Sequence, residues 1–216
     1  MKKLLSFYLI VIITISLSGC NFWGVRGSGK VKTENRDLAN FTELSVGGAF
    51  TVNIVSGKEP SFKISAEENL LPLISTSVRG STLNIKTKKN ISPRKEILIE
   101  ITTKELNEVE CSGANNINIR GVNTDNFTIG LSGAGNIKVE GETDRVHARI
   151  SGAGNINAKN LKSKDVFISV SGAASASVFA SNFLDASVSG VGSIDYYGYP
   201  QKTNTNVSGV GSISRK

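Results

Sequence analysis

The feature that most restricts this chain is a six-residue phrase that returns six times in its second half. The copies are Ser112-Gly-Ala-Asn-Asn-Ile117, Ser132-Gly-Ala-Gly-Asn-Ile137, Ser151-Gly-Ala-Gly-Asn-Ile156, Ser171-Gly-Ala-Ala-Ser-Ala176, Ser189-Gly-Val-Gly-Ser-Ile194 and Ser208-Gly-Val-Gly-Ser-Ile213. Successive serines stand 20, 19, 20, 18 and 19 residues apart. A unit this short cannot bury its own apolar face, so a fixed period of this size calls for stacked copies that share one core.

The columns show what is stacked. Directly before each Ser stand Cys111, Leu131, Ile150, Val170, Val188 and Val207. Five residues after it stand Ile117, Ile137, Ile156, Ala176, Ile194 and Ile213, and two further on Ile119, Val139, Ala158, Val178, Tyr196 and Arg215. Apolar and polar positions alternate with period 2, so each copy reads as strand, tight glycine turn, strand. The expected fold is all-β, a parallel β-solenoid of about 19–20 residues per coil, and six coils would rise roughly 29 Å at strand spacing. The glycine column requires either a positive φ or a close approach of backbones. The column Asn116, Asn136, Asn155, Ser175, Ser193, Ser212 reads either as a ladder of side-chain hydrogen bonds or as plain turn chemistry. Cys111 falls in an aliphatic column, which assigns it the role of a small core hydrophobe.

The first half carries no such repeat. Residues 41–46, 50–55, 61–65, 82–87 and 96–101 alternate as strands. Ala66–Ile74, with Glu67 and Glu68 ahead of Leu70, Leu71, Leu73 and Ile74, reads as one short helix, Pro72 being tolerated in its first turn.

The N-terminus is an address. Lys2 and Lys3 precede an apolar run, Leu4–Leu17, too short for a membrane span and suited to a signal peptide. Leu17-Ser18-Gly19-Cys20 resembles a bacterial lipobox, in which the Cys thiol takes a diacylglyceryl group and becomes the mature N-terminus. Several acyl chains hold a protein on a membrane where one is marginal. Asn21 follows the Cys, which by resemblance to Gram-negative lipoproteins permits sorting to the outer membrane. The resulting division is a signal peptide over 1–19, a Gly-rich tether over 20–34, an N-terminal β region over 35–110 and the repeats over 111–216. With lipid on Cys20, Cys111 has no disulfide partner.

Chemistry for catalysis is not visible. His147 is the single histidine, no His/Cys cluster exists, and the carboxylates recur at no common spacing. No cofactor or metal is expected, and the export signal argues against nucleic acid as a partner. Removal of Lys2 and Lys3 leaves 23 basic and 18 acidic residues, a net charge of +5. Arg79–Lys104 holds 7 basic and 2 acidic residues, either a strip for anionic lipid or polysaccharide or a solvated face that discourages edge pairing. Tyr196, Tyr197 and Tyr199 gather in one loop and could stack on sugar rings, or pack against the side of a coil. The last copy ends at Ile213, and an uncovered edge tipped by Arg215 and Lys216 is expected there, open to end-to-end association.

The opening from Glu34 to Phe50, the Glu67-Glu-Asn-Leu-Leu71 segment and the Ser-Gly-Ala-Gly-Asn-Ile phrases together resemble the head GIN domain family of auto-transporter adhesins over about residues 30–216. The resemblance implies a right-handed β-helix on an exported lipoprotein and brings no catalytic residues. Three functions are compatible: an adhesin-like module binding polysaccharide or an envelope protein, a structural envelope part without ligand, and a β-helical carbohydrate-active enzyme. The last needs carboxylates or basic residues clustered in a groove, and the sequence shows neither.

Overall fold

The computed structural model describes residues 24–216. The leader and Cys20 lie outside the described residues. Two short strands come first, β1 (Val25–Arg26) and β2 (Val31–Asn35). They are followed by β3 (Glu43–Gly48), β4 (Thr51–Ser56), β5 (Ser61–Glu67), β6 (Ile74–Arg79), β7 (Thr82–Thr87), β8 (Ile91–Ser92) and β9 (Leu98–Thr103). Three long bent strands carry the first repeats, β10 (Glu108–Leu131), β11 (Ala134–Ile150) and β12 (Ala153–Val170). The remainder is β13 (Ala173–Phe179), β14 (Phe183–Val188), β15 (Val191–Tyr197), β16 (Lys202–Val207) and β17 (Val210–Arg215).

Every repeat stacks in parallel register on the next. Ile117 pairs with Ile137, Ile137 with Ile156, Ile156 with Ala176, Ala176 with Ile194 and Ile194 with Ile213. On the other side of each corner Leu131 pairs with Ile150, Ile150 with Val170, Val170 with Val188 and Val188 with Val207. The six Ser-Gly corners therefore enclose five turns of a parallel β-solenoid. Cys111 sits in the aliphatic column, buried and without a disulfide among the described residues, and burial raises its thiol pKa, with Asn115 opposing and Glu110 adding to the shift. Leu131, Ile150, Val170 and Val188 of the column are buried too, and each such side chain contributes about 1.5–3 kcal/mol, whereas Val207 in the last described coil is exposed.

The corners explain the glycines. Gly113 has φ +86°, but the glycines of the five later corners do not need a positive φ. A side chain on Gly133, Gly152, Gly172, Gly190 or Gly209 would instead fall on the carbonyl oxygen of the corner glycine one layer before it. Close backbone approach, the second of the two expected reasons, governs the column. The Asn/Ser column is in register as expected, with Ser175 Oγ 3.2 Å from Asn155 Oδ1.

The solenoid begins earlier than the repeats do. Val46, Gly47 and Gly48 of β3 pair with Cys111, Ser112 and Gly113, while Thr51, Val52 and Ile54 of β4 pair with Asn116, Ile117 and Ile119. Val46-Gly-Gly-Ala-Phe-Thr-Val52 is thus a seventh corner in which Gly replaces Ser and Phe50 and Thr51 replace the Asn pair. Its seam with the first repeat is sealed by the buried Asn115, whose Oδ1 accepts the Phe50 N–H at 2.9 Å and whose Nδ2 donates to the Ser112 carbonyl at 2.7 Å. One layer further out, β7 pairs with β3 and β9 pairs with β4, both in parallel.

Beyond those strands pairing turns antiparallel: β6 on β7, β5 on β9, β2 on β5. These strands close the N-terminal end of the stack. Two sequence expectations change here. Ala66–Ile74 is not a helix: β5 continues to Glu67, a 3-10 turn covers Leu71–Leu73 with Pro72 in its first positions, and β6 starts at Ile74. Leu70, Leu71 and Ile74 are all buried, Leu71 and Ile74 within the core, and a single turn is enough to seat them. Arg36 holds that turn, its guanidinium donating to the carbonyls of Leu71 (3.1 Å) and Ile74 (2.8 Å). Nor are residues 25–34 a free tether: β1 pairs with β8, and β2 with β5.

Glu67 clips this N-terminal segment to the cap. It is wholly buried, and its carboxylate accepts the backbone N–H groups of Gly29 (2.6 Å), Arg94 (2.8 Å) and Lys95 (3.4 Å). Burial alone would raise its pKa, but these donors and the Arg94 charge outweigh it and hold the carboxyl below its ordinary 4.5. At the opposite end the last described coil is uncovered: β16 is exposed throughout, and Thr203 and Thr205 occupy the columns filled one layer earlier by Leu184 and Ala186.

Two outcomes follow from this packing. Gly152→Ala forces the second and third Ser-Gly corners apart and should cost about 1–3 kcal/mol in urea unfolding, while Asn136→Ser, an exchange the same column makes at Ser175, should stay within about 0.5 kcal/mol. Because the Glu67 pKa is depressed by folding, its contribution is complete above pH 4.5 and is lost as pH falls through the lower folded value. Glu67→Gln should therefore lower the melting temperature at pH 7 and flatten its decline below pH 4.5, as read by circular dichroism melts across pH.

Candidate binding groove

Side chains that leave the coil outward are set by register, so residues 19–20 apart form rows along the solenoid. The side that follows the second strand of each coil collects the rows Asn123–Glu142–Lys162 and Thr124–Thr143–Ser163. Here the chain turns between its two main faces: Asn123, Glu142 and Lys162 stand in solvent, while Thr143 and Ser163 are buried. A polar hollow of about 450 Å³ is lined in its first part by Asp125, Glu142 and Asp144 and in its last by Lys162, Phe179 and Ser181. Lys164 lies in it too but is paired with Asp144 at 2.7 Å, and that carboxylate raises the Lys164 pKa.

The same Lys162, Phe179 and Ser181 border a second, larger groove of about 680 Å³, which adds Lys159, Asn160, Tyr197 and Tyr199. Phe179 is half-buried at the end of β13, and its carbonyl accepts a hydrogen bond from the buried Ser163 hydroxyl. Gly198, at φ +88°, brings the chain so close to the layer below that a side chain there would strike the Ala180 carbonyl. That approach places Tyr197 and Tyr199 on either side of the glycine and over one groove. Lys162 Nζ lies 4.0 Å from the Phe179 ring centroid, Lys159 Nζ 5.9 Å from that of Tyr197, and the Arg215 guanidinium 5.0 Å from that of Tyr199. Tyr199 is 80% exposed, so its ring is available for contact.

The structure divides the three tyrosines singled out in the sequence. Tyr197 and Tyr199 share the groove, but Tyr196 does not: it occupies an inward column in register with Val178 and Arg215, and packs against the core. Alternation separates neighbours in a strand, and Tyr196 falls on the core phase. Phe179 and the two lysines were not singled out in the sequence. Their signal is arithmetic: Phe179 is one repeat before Tyr197, with which it pairs, and Lys162 follows Glu142 by 20.

A second aromatic row lies on the outer face of the strands that precede the corners. His147 stacks on Phe167 with centroids 5.0 Å apart and planes at 12°, and Phe167 meets Phe183 at 5.6 Å. Such cross-strand pairs add about 0.5–1.5 kcal/mol beyond burial and fix register. Glu110 closes over Gly130 on this face, and its pKa is raised by burial and then by Glu108, against the charge of Arg149.

Among the described residues no group of three or more His, Cys, Asp or Glu side chains is placed to hold a metal ion. No helix among them is long and apolar enough to cross a membrane.

A parallel solenoid, closed at its N-terminal end and carrying an aromatic, lysine-lined groove on its side, defines a class of repeat scaffold that presents surface. The chain belongs to the family described as "Putative auto-transporter adhesin, head GIN domain", whose model matches residues 40–200. It is similar to a solved "putative adhesin" from Bacteroides fragilis, with 26% identity, TM-score 0.76, and coverage of 89% of this chain and 100% of that one. A "putative adhesin" from Parabacteroides merdae shares the fold at 20% identity and TM-score 0.56, covering 89% of this chain and 99% of that one. So does a "putative lipid binding protein" from Parabacteroides distasonis, at 22% identity and TM-score 0.51, covering 90% and 100%. No curated protein matches the chain.

Proposed function

We propose that the chain is a non-catalytic envelope lipoprotein whose solenoid is an adhesin-like binding module, with polysaccharide as the ligand of the groove lined by Phe179, Tyr197 and Tyr199. Membership in an adhesin-like family supports the binding role. The observation that carries the polysaccharide reading is the convergence of three aromatic rings from two successive coils on one open groove with hydrogen-bonding neighbours, Asn160 and Ser181. Aromatic rings offer a sugar an apolar face while polar side chains meet its hydroxyls. An open groove along the side of a rigid stack suits a chain-like ligand that enters from either end.

Anchoring belongs to the same reading. Cys20 is the lipidation site, the acyl chains hold the module on the membrane, and Asn21 permits its sorting to the outer membrane of a Gram-negative envelope. The support is the lipobox and its leader in the sequence.

Two experiments test these statements. On a glycan array probed with the full chain in detergent, the protein should retain polysaccharide, and Tyr197→Ala with Tyr199→Ala should weaken binding about tenfold, as expected for the loss of two stacking rings. An array with no bound glycan would favour a purely structural envelope part. For the anchor, Cys20→Ala should abolish metabolic labelling with palmitate and release the chain from the membrane fraction; unchanged retention would refute lipidation at this residue.

A further inference from the structure

The side of the solenoid that holds the groove changes sign along its length. In the early coils it presents Asp125, Glu142 and Asp144. In the later coils the groove itself is lined by Lys159 and Lys162 and by no carboxylate. The boundary is drawn by the Lys164–Asp144 pair at 2.7 Å, which neutralises the one lysine that stands on the acidic side. Glu142 is in register with Lys162 one layer away but does not pair with it, and among the described residues neither Lys159 nor Lys162 forms an ion pair. Both ammonium groups instead lie over aromatic faces, at 5.9 Å from Tyr197 and 4.0 Å from Phe179. Two unneutralised cations, each held beside a ring, would make a site for an acidic group attached to a flat apolar body.

Resting on the polysaccharide reading above, we infer that the groove selects anionic glycans, sugars bearing carboxylate or sulfate groups, over neutral ones. The acidic group sits between Lys159 and Lys162, and the sugar ring lies on Tyr199 and Phe179. Asp125 and Glu142, which form no ion pair among the described residues, repel the continuation of such a chain, so the footprint is confined to the later coils, about three layers or roughly 10 Å along the axis. Arg215, 5.0 Å from the Tyr199 ring, extends the cationic edge on the far side.

The experiment compares the full chain in detergent on three immobilised polymers: polygalacturonate, dextran sulfate and neutral dextran. At low salt at least one anionic polymer should bind about tenfold tighter than dextran, and raising sodium chloride should remove that advantage. The Lys159→Gln, Lys162→Gln double variant should keep its melting temperature, lose about tenfold on the anionic polymer and show little further fall as sodium chloride rises. Binding to dextran as strong as to both anionic polymers, or a double variant that binds the anionic polymer undiminished, would overturn the charge selectivity and leave the polysaccharide reading standing. Absence of binding to all three, with none on the wider glycan array, would overturn both. The response to polygalacturonate against dextran sulfate decides between a carboxylate and a sulfate as the seated group.

Discussion

The structure depends on how closely successive corners approach. Parallel strands lie about 4.8 Å apart, and at the Ser-Gly corners that spacing leaves the carbonyl oxygen of one layer where the next layer would carry a Cβ. A residue without a side chain is therefore required at the same point of each turn. With it, every aliphatic column closes, from Cys111 to Val188 on one face and from Ile117 to Ile194 on the other. Without it the layers would separate, and both the hydrogen-bond ladder and the packed columns would be lost together.

The two ends of the stack are handled differently. At the start, the chain leaves after β4, builds a further layer and an antiparallel cap, and only then returns to begin the repeats in β10. The cap is fastened by polar groups more than by area: Arg36 holds the carbonyls of the 3-10 turn, and Glu67 gathers backbone donors from two separate loops. Threonines replace aliphatics in the last described coil, which lowers the apolar area that the uncovered layer exposes. Stacking also decides what the surface can offer. Residues 19–20 apart become neighbours, so rings and charges from different repeats gather into rows, and a groove arises between Phe179 of one coil and Tyr197 and Tyr199 of the next.

Much of this was legible in the residues themselves. The recurrence of Ser-Gly at a fixed period determined the solenoid, the coil length and the burial of Cys111, because an aliphatic column with period-2 alternation has few ways to be satisfied. The strand at Thr82–Thr87 was placed to the residue. The seventh corner at Gly47-Gly48 was not, since its Ser and Asn positions carry other residues and only backbone register shows the equivalence. Ala66–Ile74 looked helical because clustered leucines mimic an amphipathic stripe, yet they are collected by the end of the core and not by a helix face. Residues 25–34 looked like a tether because their partners, β8 and β5, are distant in sequence, and two- and five-residue strands carry little periodicity of their own. In the groove, the sequence identified the tyrosine cluster, but only the tertiary structure could send Tyr196 inward, hold Tyr197 and Tyr199 apart across Gly198, and add Phe179, Lys159 and Lys162 from other coils. Local pattern fixes which residues must be buried; which exposed residues become neighbours depends on register between layers, and that is settled only when the whole stack has formed.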